Sequence, residues 1–252
     1  MNRLANKIAI ISGGATGMGG AASKLFAAEG AKVLVADLDP ARAEEAAVAI
    51  RETGGNAVGF GVDVMNEDSL AAMIEKAVAE FGGINVLCNH VGGSNPRKDL
   101  DLLRMDLDEW DRVMSLNVRS TVVASRLAIP HMNSAGGGSI VNTASVGGLI
   151  GDSLQSAYGS AKAAVIRLTQ YIAVQYGANG VRCNAVAPGA IMTPALVDNI
   201  PADVIDGMKQ ANALPYLGEP EDIAHAMVYL ASDESRSEEH TSELQSHLMI
   251  SY

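Results

Sequence analysis

The stretch KIAIISGGATGMGG, residues 7 to 20, decides the fold. It begins with a nearly continuous apolar run rich in isoleucine, which is typical of a strand buried on both faces. The glycines that follow, Gly13, Gly17 and Gly19, allow a sharp turn and a close approach of backbone N–H groups to a ligand. A helical pattern comes next, so the segment predicts a strand, a glycine-rich turn and a helix whose N-terminus attracts an anion.

Similar apolar runs recur along the chain with helical patterns between them. The predicted strands are residues 7–12, 32–37, 56–64, 84–89, 138–145 and 181–188. One intervening helix is predicted to begin at Pro40 and to end before Gly54 and Gly55. Such alternation predicts parallel strands joined by right-handed crossovers. The expected fold is a single α/β domain of the Rossmann type, a doubly wound parallel sheet with helices on both faces.

The composition restricts the class of ligand. The chain has 252 residues, of which 48% are hydrophobic, enough for a large buried core. Its net charge of −11 argues against a nucleic-acid partner, which would need clustered Lys and Arg. No apolar run has the length of a membrane span or the pattern of a secretory leader, and Cys88 and Cys183 lie in strand-like runs that suit a reduced core. We therefore expect a cytoplasmic protein that binds a small molecule and no metal.

The end of the second predicted strand indicates that the glycine turn binds a dinucleotide cofactor. In dinucleotide-binding units, a carboxylate about twenty residues after the glycines accepts hydrogen bonds from the adenosine ribose, and Asp37 stands at that place. Asp37 would repel a 2′-phosphate, and no Arg or Lys follows it before Arg42, so NAD is favoured over NADP. Two simpler interpretations stay open: the glycines as an ordinary connection, and Asp37 as a turn residue.

A second group of residues predicts proton transfer. Ser145 follows the fifth predicted strand, and YGSAK places Tyr158 and Lys162 one helical turn apart on the same face. A phenol has an ordinary pKa of about 10, so an ammonium group one turn away and a cationic nicotinamide would be needed to favour the phenolate. The pair could then exchange a proton with an alcohol or a carbonyl. Alternatively, the two side chains form an ordinary helix face and Ser145 a cap.

Taken together, these motifs resemble the classical short-chain dehydrogenase/reductase family. The resemblance covers roughly residues 5 to 234 and includes the glycine loop, Asp37, the DV pair, the LNV and YGSAK motifs, and PGAIMT at residues 188–193. It implies a catalytic tetrad in which Tyr158 is the acid/base, Ser145 orients the substrate, Lys162 lowers the pKa of Tyr158, and Asn117 bends its helix to hold a water that links Lys162 to solvent. The implied cofactor contacts are Gly13, Thr16, Gly17, Met18, Gly19, Asp37, Leu38, Asp63, Val64, Asn89, Tyr158, Lys162, Pro188, Gly189, Ile191 and Thr193.

Two features near the site are less regular. NHVGG replaces the family's common N-N-A-G, so His90 either tunes the site or is a packed histidine that bonds a backbone carbonyl, the interpretation we favour. Residues 188–215 resemble the family's mobile substrate lid, in which Met192 and Met208 stand out. With Val146, Leu149 and Ile150, this segment suggests a hydrophobic alcohol or ketone.

The end of the chain departs from the family. After Ser235 the resemblance stops where the family has a final edge strand that helps to build a homotetramer, and residues 236–252 back-translate to codons that resemble a sequencing adapter. We expect residues 1–235 to be the NAD-binding catalytic domain and 236–252 to be a non-native tail from a metagenomic library fragment. The expected consequences are a missing edge strand, an uncertain assembly and a weakly active chain. Sequencing the source gene past the codon for Ser235 tests this hypothesis.

The predicted function is an NAD(H)-dependent oxidoreductase that interconverts a secondary alcohol and a ketone by hydride transfer, with a tyrosine as acid/base. One alternative is an NADPH-dependent carbonyl or 3-oxoacyl reductase. Another, from a different class, is a nucleotide-binding regulatory subunit without turnover.

Overall fold

The computed structural model describes residues 2–212 and 214–238. Six strands in these residues form one sheet in which every pair of neighbours is parallel, in the order β3-β2-β1-β4-β5-β6. The order reverses between β1 and β4, which is where ligands bind in sheets of this kind. The strands are β1 (Ile8–Ser12), β2 (Lys32–Asp37), β3 (Asn56–Gly61), β4 (Val86–Asn89), β5 (Gly138–Thr143) and β6 (Val181–Val186).

Helices cover both faces of the sheet, as the predicted fold requires. Alternate residues of a strand point to opposite faces, so Ile11 packs with Phe26 and Met227 on one side while Ile10 packs with Met73 and Met132 on the other. The helices are α1 (Gly17–Ala28), α2 (Pro40–Glu52), α3 (Glu67–Phe81), α4 (Leu107–Met114), α5 (Ser120–Ser134), α6 (Ser156–Tyr176), α7 (Pro194–Asn199), α8 (Ala202–Ala211) and α9 (Pro220–Ala231). None of those helices has both the length and the apolar character that a membrane crossing needs.

The six predicted strands are all present; β2 has the predicted bounds and the other five are shorter. The clearest difference is β3, which ends at Gly61 rather than at residue 64. Its neighbour β2 ends at Asp37, whose carbonyl accepts the last hydrogen bond, from the Val62 N–H, at 2.7 Å. A strand cannot continue once its partner has turned away, so the pairing limits β3 more than its own apolar pattern does.

The two edges of the sheet are β3 and β6. The described residues contain no further strand beside β6, where Asn184 donates from Nδ2 to the backbone carbonyl of Glu238 at 2.7 Å. Most of the predicted non-native tail, residues 239–252, lies outside the described residues. The hypotheses about its origin and about the missing strand therefore stay predictions.

Candidate active site

A cavity of about 400 Å³ lies at the carboxyl ends of the strands, over the point where the strand order reverses. The glycine turn forms one wall. Gly13 and Gly17 have φ of +68° and +54°, which residues with a Cβ rarely adopt. The N-terminus of α1 carries no side-chain cap and no acidic residue in its first turn, so its N–H groups are available to an anion. These features fit the pyrophosphate of a dinucleotide.

Asp37 forms the far end of this cavity. Its carboxylate accepts from the N–H groups of Ala15 and Asp39 at 3.3 and 3.4 Å, long bonds that tie β2 to the glycine turn and leave acceptor capacity for a ligand. Arg42 is exposed and pairs with Asp39. Among the described residues, Lys162 is the one Lys or Arg that lines the cavity, and it lies at the end away from Asp37. The electrostatics at Asp37 favour ribose hydroxyls and disfavour a 2′-phosphate.

Ser145 and Tyr158 lie where this cavity meets a second one of about 590 Å³. Ser145 follows β5 and accepts from the Gly147 N–H at 3.2 Å. Burial raises the pKa of Tyr158, and the nearby Ser145 hydroxyl opposes that rise. Desolvation of the phenol dominates this shift in the chain by itself, and the expectation that Lys162 lowers the pKa of Tyr158 stays a prediction.

Lys162 is buried to 3% exposure, yet its ammonium group has a defined position. Its Nζ donates to the Thr143 carbonyl at 2.7 Å and lies 5.5 Å from the centre of the Tyr158 ring. Burial lowers the pKa of Lys162 to about 8. The group therefore still carries a charge at neutral pH, at an energetic cost.

Asn117 lies in a π-helical segment, Ser115–Arg119, between α4 and α5. Its side chain donates to the carbonyls of Gly93 and Val113 at 2.9 Å and accepts from the Gly93 N–H at 3.0 Å. A Cβ on Gly92 would lie 2.5 Å from Asn117 Oδ1 and 2.7 Å from Lys162 Nζ, so the two side chains converge on this glycine. The regular helical spacing is therefore interrupted at Asn117, the position at which the family resemblance implies a bend.

Comparisons with known proteins agree with this geometry. A family model described as Enoyl-(Acyl carrier protein) reductase matches residues 13–238. The chain is 42% identical to a 7alpha-hydroxysteroid dehydrogenase of Bacteroides fragilis, over 94% of this chain and 91% of that protein. It is 39% identical to a cis-4-hydroxycyclohexanecarboxylate dehydrogenase of Sinomonas cyclohexanicum, over 91% and 90%.

The fold has a close match as well. A solved 7 alpha-hydroxysteroid dehydrogenase, in complex with NADH and 7-oxo glycochenodeoxycholic acid, superposes with a TM-score of 0.89 and is 32% identical, over 94% of this chain and 91% of that one. The chain belongs to the short-chain dehydrogenase/reductase family. It is an NAD(H)-dependent oxidoreductase that interconverts a secondary alcohol and a ketone.

Most of the residues that the family resemblance implied converge on the first cavity. Its lining includes Gly13, Thr16, Gly17, Met18, Asp37, Leu38, Ser145, Tyr158, Lys162, Pro188, Gly189 and Thr193. Other predicted residues lie elsewhere. Asn89 is buried in the sheet, where its amide donates to Ser125 and Asn142, and the carboxylate of Asp63 accepts from the Met65 N–H. Gly19, Val64 and Ile191 are not among the residues that line the cavity, although Gly19 lies directly behind Gly13 and His90.

His90 behaves differently from either simple expectation. Its Nδ1 lies 2.9 Å from the Thr143 hydroxyl, so the interpretation that His90 bonds a backbone carbonyl is wrong for this nitrogen. The ring lines the cofactor cavity. Burial, and secondarily the Lys162 charge, lower the pKa of His90 to about 4. The imidazole is therefore neutral at physiological pH and links β4 to the end of β5 beside the carbonyl that Lys162 binds.

Sequence reasoning missed several groups that shape the site. Thr143 was read as part of a strand, although its carbonyl and hydroxyl hold Lys162 and His90. Gly92 lies within NHVGG beside two site side chains, and Asp99 bonds the backbone of Tyr158. A glycine next to a predicted site was a usable signal for Gly92. Nothing local marks Asp99, because its partners are 58 and 59 residues away.

Proposed function

We propose that the substrate is a secondary alcohol carried on an apolar ring system, and that Tyr158 exchanges its proton. The second cavity, beside Tyr158, is lined mainly by small and apolar residues, including Val146, Leu149, Ile150, Leu154, Ala190 and Met208. Its volume of about 590 Å³ lies within the range of small-molecule pockets. The two relatives described above are named for hydroxyl groups on a steroid and on a cyclohexane ring, which supports a ring-borne alcohol here.

In the direction of oxidation, the Tyr158 phenolate accepts the proton of the substrate hydroxyl as the carbonyl forms. In reduction the phenol returns a proton to the developing alkoxide. Ser145 already accepts a hydrogen bond from the Gly147 N–H, so its own proton is free to point at the substrate oxygen or at Tyr158. Together the two hydroxyls hold the reacting oxygen at the junction of the cavities. When bound, NAD(H) supplies or accepts the hydride.

Lys162 and Asn117 support this proton transfer. The ammonium group near the Tyr158 ring favours the phenolate electrostatically, which opposes the upward shift that burial imposes on the pKa of Tyr158. Asn117 holds the turn at Gly93 beside the ammonium and opens the helix there, which supports the water-linked proton path implied by the family. At the other end of the cavity, Asp37 would bind the adenosine ribose and the uncapped N-terminus of α1 the pyrophosphate.

One observation carries the proposal: Ser145 and Tyr158 line both cavities, and Lys162 approaches Tyr158 from the cofactor side. Tyr158→Phe should lower kcat by about 10²- to 10⁴-fold, the usual contribution of a general acid/base, while NADH binding by fluorescence stays nearly unchanged. Tyr171→Phe, on an exposed tyrosine of the same helix, is the matched control. Full activity in Tyr158→Phe contradicts the mechanism.

The substrate class is tested with a panel of ring-borne and short acyclic secondary alcohols, each with NAD and with NADP. We expect a higher kcat/KM for hydroxysteroids and substituted cyclohexanols than for 2-propanol, and higher values with NAD. A preference for 2-propanol would contradict the ring-borne substrate. Tight NADH binding with no turnover across the panel would indicate the regulatory alternative, and a preference for NADPH would indicate the reductase alternative.

The location and the assembly belong to the same proposal. A cytoplasmic homotetramer of the native protein is supported by the family resemblance, and the assembly of this chain is the quantity to be measured. Light scattering coupled to size-exclusion chromatography gives the oligomeric state directly. A monomer at micromolar concentration would contradict the tetramer for this chain.

A further inference from the structure

Asp99 is a completely buried carboxylate that the reaction itself does not use. It lies in the connection between β4 and α4, near the substrate end of the molecule. Its Oδ1 accepts from the Ala157 N–H and its Oδ2 from the Tyr158 N–H, both at 2.9 Å. Both partners are backbone groups in the first turn of α6, the helix that carries the acid/base and the lysine. Hydrogen bonds to an ionised acceptor are stronger than those between neutral groups.

The start of α6 needs this carboxylate because it has no cap of its own. Gln155 occupies the cap position in a left-handed conformation, with φ of +60°, and its side chain makes no capping bond. The first turn, Ser156 to Tyr158, contains no acidic residue. The first N–H groups of a helix have no acceptor within the helix, and the positive end of its dipole attracts an anion. Asp99 therefore acts as the N-cap of α6 from 58 residues upstream of Ala157.

The same connection is fixed to its surroundings at several other points. The Asp99 carbonyl accepts from the Gln155 N–H at 3.1 Å, and the Leu100 carbonyl accepts from the Ser156 hydroxyl at 3.3 Å. At the other end of the segment, the buried Glu109 of α4 accepts from the Asn95 N–H at 2.7 Å. Two buried carboxylates thus hold residues 95–100 between α4 and α6.

The two residues of the YGSAK motif depend on this cap to different degrees. Tyr158 lies in the first turn, where a helix frays if its N–H groups lose their acceptors. Lys162 lies one turn further on, and its Nζ has its own anchor on the Thr143 carbonyl. Loss of the cap should therefore move the phenol before it moves the ammonium group.

We propose that Asp99 is a positioning residue for Tyr158: its carboxylate holds the first turn of α6 and fixes the phenol against Ser145. This inference rests on the proposed role of Tyr158 as the acid/base. Since Asp99 touches backbone groups and neither cavity lining includes it, its effect is on the geometry of proton transfer rather than on ligand binding.

Asp99→Ala and Asp99→Asn test the proposal, with the full chain and the best alcohol from the panel. Asp99→Ala removes both acceptors and should lower kcat by about tenfold to a hundredfold. The NADH dissociation constant should change by less than about threefold. Asp99→Asn keeps one acceptor oxygen, so its kcat should fall between those of Asp99→Ala and the parent. The matched control is Asp101→Asn: Asp101 is half-buried, pairs with Arg104 and makes no bond to α6.

Three outcomes would overturn the proposal. The first is an unchanged kcat in Asp99→Ala. The second is an equal loss of kcat and of NADH affinity, which would indicate general damage to the fold. The third applies if Asp99→Ala does not fold, so that Asp99→Asn decides alone. In that case the proposal is overturned if the kcat of Asp99→Asn equals the kcat of Asp101→Asn. Tyr158→Phe is measured in parallel, so a failure of the acid/base assignment shows as activity in that variant, independently of the result at Asp99.

Discussion

Lys162 gives the most quantitative prediction, because the folded protein buries a charge that water would otherwise solvate. Its side chain is 3% exposed, and burial lowers its pKa from 10.5 to about 8. Between these two values the unfolded chain binds a proton that the folded chain has released. Stability must therefore rise with pH across this window, and below pH 8 the folded protein bears the full cost of the buried charge.

The magnitude follows from the two pKa values. At pH 7 the buried ammonium lowers the free energy of unfolding by about 3 kcal/mol, and at pH 9.5 about 2 kcal/mol of that loss is recovered. Lys162→Met replaces the amine with an apolar chain of similar length and removes this dependence. The variant also loses the hydrogen bond to the Thr143 carbonyl, but this cost does not vary with pH and cancels in the comparison.

Denaturant unfolding of both proteins without cofactor at pH 7 and pH 9.5 measures the effect. Trp110 is the chain's single tryptophan and packs against the same buried cluster as Tyr158, so its fluorescence reports unfolding near the site. The parent should gain about 2 kcal/mol relative to Lys162→Met on going to the higher pH. Equal changes in the two proteins would refute the reasoning, because the amine would then release its proton at the same pH in the folded and the unfolded chain.

Three further predictions concern neighbouring residues. Asp37→Ser should shift the ratio of kcat/KM for NADP over NAD upward by about tenfold or more, measured by initial rates, since the carboxylate that repels a 2′-phosphate is gone; an unchanged ratio would contradict its role. Gly92→Ala should lower kcat by about tenfold or more, because its Cβ would lie 2.5 Å from Asn117 Oδ1 and 2.7 Å from Lys162 Nζ; parent-like rates would show that the site adjusts freely. Because the pKa of His90 is lowered from 6.5 to about 4, the free energy of unfolding of the parent should fall by about 3 kcal/mol from pH 7 to pH 4. His90→Asn should lose correspondingly less in acid unfolding curves, and identical curves would argue against a buried neutral imidazole.

The local parts of the fold were predictable from the residues. The apolar runs gave the six strands, and Pro40 and Gly54 marked the limits of α2, which spans Pro40–Glu52. Strand ends were predicted less well: β5 ends at Thr143 and β6 at Val186, each two residues before the predicted end. An apolar pattern indicates which residues are buried, whereas a strand ends at the residue where its neighbours no longer form hydrogen bonds with it.

The residue types of the candidate site were predictable from the sequence, but the pKa shifts of its ionisable groups were less predictable. Ser145, Tyr158 and Lys162 come together as the motifs indicated. The direction of the pKa shift of Tyr158 was not predictable from an ammonium one turn away, because it depends on how much water the folded chain removes from the phenol. The neutral state of His90 has the same origin.

The sequence by itself determined the glycine turn, the carboxylate at the end of β2 and the spacing of Tyr158 and Lys162, because each depends on residues close together in the chain. Only the tertiary structure decided that Asp99 caps α6, that His90 bonds Thr143, and that Gly92 leaves room for Asn117 and Lys162. These contacts join segments far apart in sequence. Such partners are set by how the elements pack, and no local pattern of residues encodes them.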